Sequence, residues 1–168
     1  RMLPENRHIV FDGGNFMANW AYFSVPGPSH FTHSLDSGSV GLGLGTAIGV
    51  ARGQPDRTVV VMIGDGGMLM SMGEIETIIR EDLPMIVLVM NDAAYGAEVH
   101  ILRGQNMPVA KAEFFDVDFA PMAEPLGFDC HTVRSVDDLA SPDGAADAAG
   151  DDGEVLALVQ GARGAPRG

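Results

Sequence analysis

The chain has 168 residues, 46% of them hydrophobic, and a formal net charge of −13 at pH 7. That length suffices for one domain with a real core, and the acidity argues against nucleic acid as a partner, since a phosphate backbone demands a basic footprint. A single cysteine, Cys130, leaves no disulfide framework and no cysteine-based zinc site; with no signal peptide and no apolar run of membrane-spanning length, the expectation is a cytoplasmic location without a membrane partner.

HIVF (8–11) reads as a first strand, closed by Asp12-Gly13-Gly14. NFMANWAYF has helical, partly apolar character, and VPGPSH is a breaker-rich loop. The stretch HFTHSLDSG is ambiguous, with a short strand at 31–34 as one reading. VGLGLGTAIGVARG reads as a helix of small residues suited to close packing, ended by RGQPD. Val59 to Ile63 is an unbroken β-branched and aliphatic run, the pattern of a strand buried on both faces. Gly64, Gly66 and Gly67 around Asp65 predict a tight turn that lets a ligand approach the backbone. In the LMSMGEIETIIRE that follows, Leu69, Met72, Ile75, Ile78 and Ile79 fall at helical spacing, which predicts a helix over about 71–81.

Asp82-Leu83-Pro84 turns into a second apolar strand, 85–90, which ends at Asn91-Asp92. AYGAEVHIL starts a further helix, RGQNMPVAKAEFF is a polar and mobile loop, DFAPMAEPLG a broken helical segment and FDCHTV a strand. Ser135 is a plausible helix cap, EVLALVQ makes the last strand, and residues 161–168 read as a flexible tail after a domain of residues 1–160. Strands alternating with helices predict an α/β fold: a doubly wound, mainly parallel sheet with helices on both faces.

Two apolar strands therefore end in acidic turns, with Asp65 and Asp92 separated by 27 residues, the length of one strand–helix–strand unit. Side by side at the carboxyl edge of a sheet, two carboxylates and main-chain carbonyls make an oxygen-only set suited to Mg²⁺ or Ca²⁺. A bare phosphate at this helix start would be repelled by Asp65, and a divalent ion between them removes the conflict. The competing reading makes both aspartates ordinary turn and cap residues. A dinucleotide fold is disfavoured, because Thr46 stands where GLGLG would need a third glycine; there is no P-loop, no HExxH, and no serine elbow around Ser71.

The segment GDGGMLMSMGEIETIIREDLPMIVLVMNDAAYG resembles the diphosphate-binding motif of thiamine-diphosphate enzymes, of the acetolactate synthase, benzoylformate decarboxylase and pyruvate decarboxylase superfamily. The resemblance runs from about residue 8 to 159 and covers that superfamily's C-terminal, diphosphate-binding domain, implying thiamine diphosphate and Mg²⁺ as cofactors. It implies Asp65 and Asp92 as metal ligands, with the Ala94 carbonyl completing the protein's share. Asp92 departs from the commoner asparagine at that place, and Asn91 beside it is expected to lie behind the ligands. Gly64, Gly66, Gly67, Tyr95 and Gly96 fall where the family surrounds the diphosphate, and DGGNF supplies Gly14 and Asn15 as upstream contacts.

SGSVGLGLGTAIG (37–49) is similar to the family's pyrimidine-holding segment, with Gly38 accepting the pyrimidine amine and Val40 wedging the cofactor into its bent form. Glu98 falls six residues after Asp92, where the pyruvate decarboxylase branch has a catalytic glutamate; His100 is a second proton-handling candidate. For both, a solvated helix face is the plainer alternative, and no motif fixes a role for His30 or His33. The implied activity is decarboxylation of a 2-oxo acid, followed by capture of a proton (decarboxylase, a lyase) or of a second carbonyl (carboligase, a transferase). In this family a glutamate from another domain, usually across a subunit interface, serves the pyrimidine. The resemblance therefore implies a fragment or split subunit that is inactive alone, a pyrimidine-binding partner domain, and a homo-oligomer; a non-catalytic diphosphate-binding module is the other reading.

Overall fold

The computed structural model describes residues 3–134 and the backbone of 154–160. Its strands are β1 (Arg7–Phe11), β2 (Phe31–His33), β3 (Thr58–Gly64), β4 (Met85–Asn91), β5 (Asp129–Val133) and β6 (Glu154–Gln160). They form one sheet in the order β2-β1-β3-β4-β6-β5. The first four run parallel. β6 is antiparallel to both β4 and β5, so β5 runs in the same sense as the parallel four. The Ser135 cap and the tail lie outside the described residues.

The helices are α1 (Gly43–Gly53), α2 (Asp65–Ser71), α3 (Glu74–Arg80), α4 (Gly96–Gly104) and α5 (Ala120–Ala123). Side chains alternate across β3, and both of its faces are covered. Val59, Val61 and Ile63 pack with Leu44, Ala47, Ile75 and Ile78 under α1 and α3, while Val60 and Met62 join Ile9, Phe11 and Leu88 on the other side. Phe16, Phe23 and Phe31 close that second face, the first two from a 3-10 helix (Asn15–Tyr22) and its C-terminal cap. Full coverage explains why the sequence of β3 is apolar throughout rather than alternating. Among the described residues no helix is long and apolar enough to cross a membrane.

Two local expectations are corrected. The helix expected over about 71–81 is two helices, α2 and α3, and the first begins at Asp65 itself. Ser71 donates its hydroxyl to the Gly67 carbonyl at 2.8 Å, a back-bond within the helix that favours bending and termination. Gly66 and Gly67 are therefore helical residues rather than members of a tight turn. Glycine is required at 67 by close approach, since a Cβ there would stand 2.5 Å from Asp12 Oδ2 and 3.1 Å from Ile63 Cγ1.

Candidate cofactor site

Gly64 of β3 pairs in register with Met90 of β4, so the two strands deliver Asp65 and Asn91-Asp92 to the same edge of the sheet. A cavity of about 770 Å³ opens there. Gly64, Asp65, Gly66 and Gly67 line it from the start of α2. Asp92, Ala94, Tyr95 and Gly96 line it from the turn after β4, Gly14 and Asn15 from the turn after β1, and Val40 from the approach to α1. Glu98 and His100 line it from α4, both exposed. Gly38 is outside the lining, on a turn where it and Ser37 adopt left-handed backbone (φ 68° and 65°). His30 and His33 are also outside it, the His33 ring meeting Trp20 edge-on and Phe31 at a tilt.

Asp65 is only 1% exposed. Its Oδ1 accepts the Gly66 N–H at 2.9 Å, whereas Oδ2 is buried with no hydrogen-bond partner. Burial, reinforced by the Asp92 charge and opposed by the N–H groups of Gly66, Ala94 and Ala93, raises its pKa from 3.8 to about 6. Asp92 is raised as well, again mainly by burial, against the lowering effect of nearby main-chain N–H groups and His100. A buried carboxylate oxygen without a hydrogen bond, in a cavity shared with a second carboxylate, is the electrostatic signature of a place for a cation. Among the described residues no group of three or more His, Cys, Asp or Glu side chains converges. A cation here would thus depend on two carboxylates plus main-chain oxygen, a hard donor set.

The sign of the pH effect follows. Asp65 holds its proton more tightly folded than unfolded, so ionisation destabilises the metal-free domain as pH rises from about 4 through 6. The full penalty, roughly 3 kcal/mol, is present above pH 6 and absent below 4. Asp65→Asn is therefore expected to raise the unfolding free energy in EDTA at pH 7.5 by up to that amount and to change nothing at pH 3.5. Urea unfolding at the two pH values measures it, and equal stability of both proteins at pH 7.5 would contradict it.

The turn after β4 is fixed from behind. Asn91 is buried, donates to Asp116 Oδ1 at 2.8 Å and to the Val117 carbonyl at 3.2 Å, and accepts the Ala93 N–H at 3.2 Å. Ala93 takes left-handed backbone (φ 54°), which reverses the chain toward α4. Gly96 opens α4 against this turn, and a Cβ there would stand 2.3 Å from Asp92 Oδ2. The loop read as polar and mobile supplies the outer wall: Tyr95 N–H bonds the Ala112 carbonyl at 2.8 Å and Phe114 N–H the Ala93 carbonyl at 2.9 Å. The Tyr95 and Phe114 rings meet edge-on at 5.3 Å.

Sequence reasoning missed this wall, notably Glu113 and Phe114, and missed Asp12. Asp12 is fully buried and accepts hydrogen bonds from Gly41, Leu42 and Gly43 N–H (2.7, 3.2 and 3.1 Å) and from the Ser34 hydroxyl (2.8 Å). No side chain of α1 caps its own N-terminus; the carboxylate at the end of β1 caps it instead. The signal was available, because HIVFDGG ends like MIGDGG.

Known proteins bear on this site. A solved thiamine diphosphate-dependent 4-hydroxybenzoylformate decarboxylase from Rhodococcus jostii RHA1 has the same fold over 75% of this chain and 24% of its own, with a TM-score of 0.67 at 23% identity. The curated 2-hydroxyacyl-CoA lyase 2 of Mus musculus is 39% identical over 94 residues, 55% of this chain and 15% of the lyase. Sulfoacetaldehyde acetyltransferase of Castellaniella defragrans is 30% identical over 142 residues, 83% of this chain and 24% of the transferase. The chain thus spans about a quarter or less of these curated relatives. The family described as thiamine pyrophosphate enzyme, C-terminal TPP binding domain, matches residues 12–157, and the chain belongs to it.

Proposed function

We propose that the chain is the diphosphate- and Mg²⁺-binding domain, residues 1–160 with a flexible tail at 161–168, of a 2-oxo-acid decarboxylase or carboligase of the acetolactate synthase type. The single observation that carries this reading is Asp65 Oδ2, a buried carboxylate oxygen without a partner in a cavity it shares with Asp92. Asp65, Asp92 and the Ala94 carbonyl would hold the metal. Gly14, Asn15, Gly64, Gly66, Gly67, Tyr95 and Gly96 would surround the diphosphate, because glycines after the strand ends and in the first turn of α2 let main-chain N–H groups come close to its oxygens. Gly38 would accept the pyrimidine amine and Val40 would support the bend. When bound, thiamine diphosphate supplies the nucleophilic carbon and electron sink that allow a 2-oxo acid to lose CO₂.

Within this chain, Glu98 and His100 would hold and move protons at the reacting carbonyl; their place in the cavity lining supports that role. Glu98 also supports the second reading, a simple decarboxylase that ends in protonation. Relatives named as a lyase and as an acetyltransferase support the enzyme class without choosing between its outcomes. The glutamate serving the pyrimidine would come from a further domain or subunit, within a cytoplasmic homo-oligomer.

Three experiments test the reading. The purified chain should bind thiamine diphosphate in magnesium and not in EDTA by calorimetry, and should not turn over 2-oxo acids alone. Turnover by residues 1–168 would refute the need for a partner domain, and magnesium-independent binding would refute the metal site. Product analysis of the assembled enzyme with pyruvate, benzoylformate and 2-oxobutyrate would separate decarboxylase from carboligase.

A further inference from the structure

Four carboxylates line the cavity, Asp65, Asp92, Glu98 and Glu113, against one arginine or lysine, Arg103. A cation held by the first two would answer the diphosphate. A 2-oxo acid brings a further negative charge into a cleft still lined by Glu98 and Glu113. Among the described residues lining the cavity, Arg103 is the arginine or lysine available to it. It sits in the last turn of α4, seven residues beyond Gly96, about 10 Å along the helix axis from the turn that carries Asp92.

Its present engagement is slight. Arg103 Nη2 donates to Glu113 Oε1 at 3.2 Å, with side chains 62% and 46% exposed. A solvated pair of that kind contributes little net stability, because water already serves both groups. The two partners are not held alike. Glu113 is pinned to the cofactor turn through a backbone bridge to Ala94 and the hydrogen bonds of Ala112 and Phe114 on either side. The guanidinium sits on a long side chain and offers a planar fork that matches a carboxylate in two bonds.

We propose that Arg103 is the substrate-anion receptor of this cavity, resting on Glu113 until the carboxylate of an entering 2-oxo acid takes its place. The proposal rests on the cavity being a 2-oxo-acid site. The carboxylate involved is either the one beside the reacting carbonyl or a second one at the far end of the substrate, and the test distinguishes them.

The chain, loaded with thiamine diphosphate and Mg²⁺, is titrated by calorimetry with pyruvate, which has one carboxylate, and with 2-oxoglutarate, which has two. The Arg103 Nε–H signal is followed by NMR in the same titrations. Arg103→Gln should weaken binding by about tenfold or more, Arg103→Lys should recover part of the loss, and Glu113→Gln should tighten binding. Tm should stay unchanged in all three, because the exposed pair contributes little to folding. Loss for both acids assigns the carboxylate beside the carbonyl, and loss for 2-oxoglutarate alone assigns the distal one. Binding within twofold of wild type for both acids in Arg103→Gln, or no binding of either acid by wild type, overturns the proposal. Should wild type take up no cofactor, the cofactor reading falls separately, and titration of the unloaded chain with the same acids still decides the role of Arg103.

Discussion

Replacing Asp65 with alanine is expected to abolish magnesium-dependent uptake of thiamine diphosphate while leaving the domain folded. The site has two acidic side chains to offer a divalent ion, and the one on α2 is the more constrained, fully buried at the end of β3. Without it, a cation retains Asp92 and main-chain oxygen, too few protein ligands for a hard ion whose binding must also overcome the affinity of magnesium for water. The diphosphate then meets Asp92 with less compensation. We expect the cofactor dissociation constant to rise by at least about 100-fold, equivalent to about 3 kcal/mol. Folding should not suffer, because the lost group is a raised-pKa carboxyl with an unpartnered oxygen. Asp92→Ala should act in the same direction; that side chain stands on an exposed turn. Calorimetry of each variant in magnesium and in EDTA is the measurement. Unchanged affinity in either variant would remove that aspartate from the metal set.

Much of this arrangement was legible in the residues, and the parts that were not have a common cause. Strands β3 and β4 announce themselves because both faces are buried and the sequence is apolar at every step. The 27-residue spacing then places Asp65 and Asp92 at neighbouring strand ends before any coordinates are known. The break between α2 and α3 was hidden because the apolar residues on either side of it keep helical spacing; it falls at Met72-Gly73, just after Ser71 bonds the carbonyl four residues back. The wall built by Glu113 and Phe114 was hidden for a different reason. Its hydrogen bonds join main-chain groups about 20 residues apart in a stretch without periodicity, and main-chain pairing leaves no residue signature. The resemblance implies a place for Asn91 behind the ligands, but its grip on Asp116 and Val117 needs the tertiary path of that same stretch.

The pair Asp12 and Asp65 sets the limit of such reading most sharply, and it yields the second large effect. Each follows an apolar strand and precedes two glycines, yet Asp12 accepts four hydrogen bonds and Asp65 Oδ2 accepts none. Asp12→Ala would leave three N–H groups at the start of α1 and the Ser34 hydroxyl without their acceptor, those of Gly43 and Ser34 in buried bonds and those of Gly41 and Leu42 in partly buried ones. At about 1–3 kcal/mol for each buried group left unpaired, partly relieved by local relaxation, the expected loss is roughly 3–5 kcal/mol. That is a large part of the stability of a typical domain, about 5–15 kcal/mol. Asp12→Asn keeps one carbonyl oxygen as acceptor and turns the other position into a donor facing donors, so an intermediate loss is expected. It also provides the measurement if the alanine variant does not fold. Urea unfolding at pH 7.5 in EDTA should therefore order the proteins as Asp65→Asn above wild type, wild type above Asp12→Asn, and Asp12→Ala lowest. An Asp12→Ala protein within about 1 kcal/mol of wild type would mean that water or neighbouring groups satisfy the start of α1, and the carboxylate of β1 would lose its place as the cap of that helix.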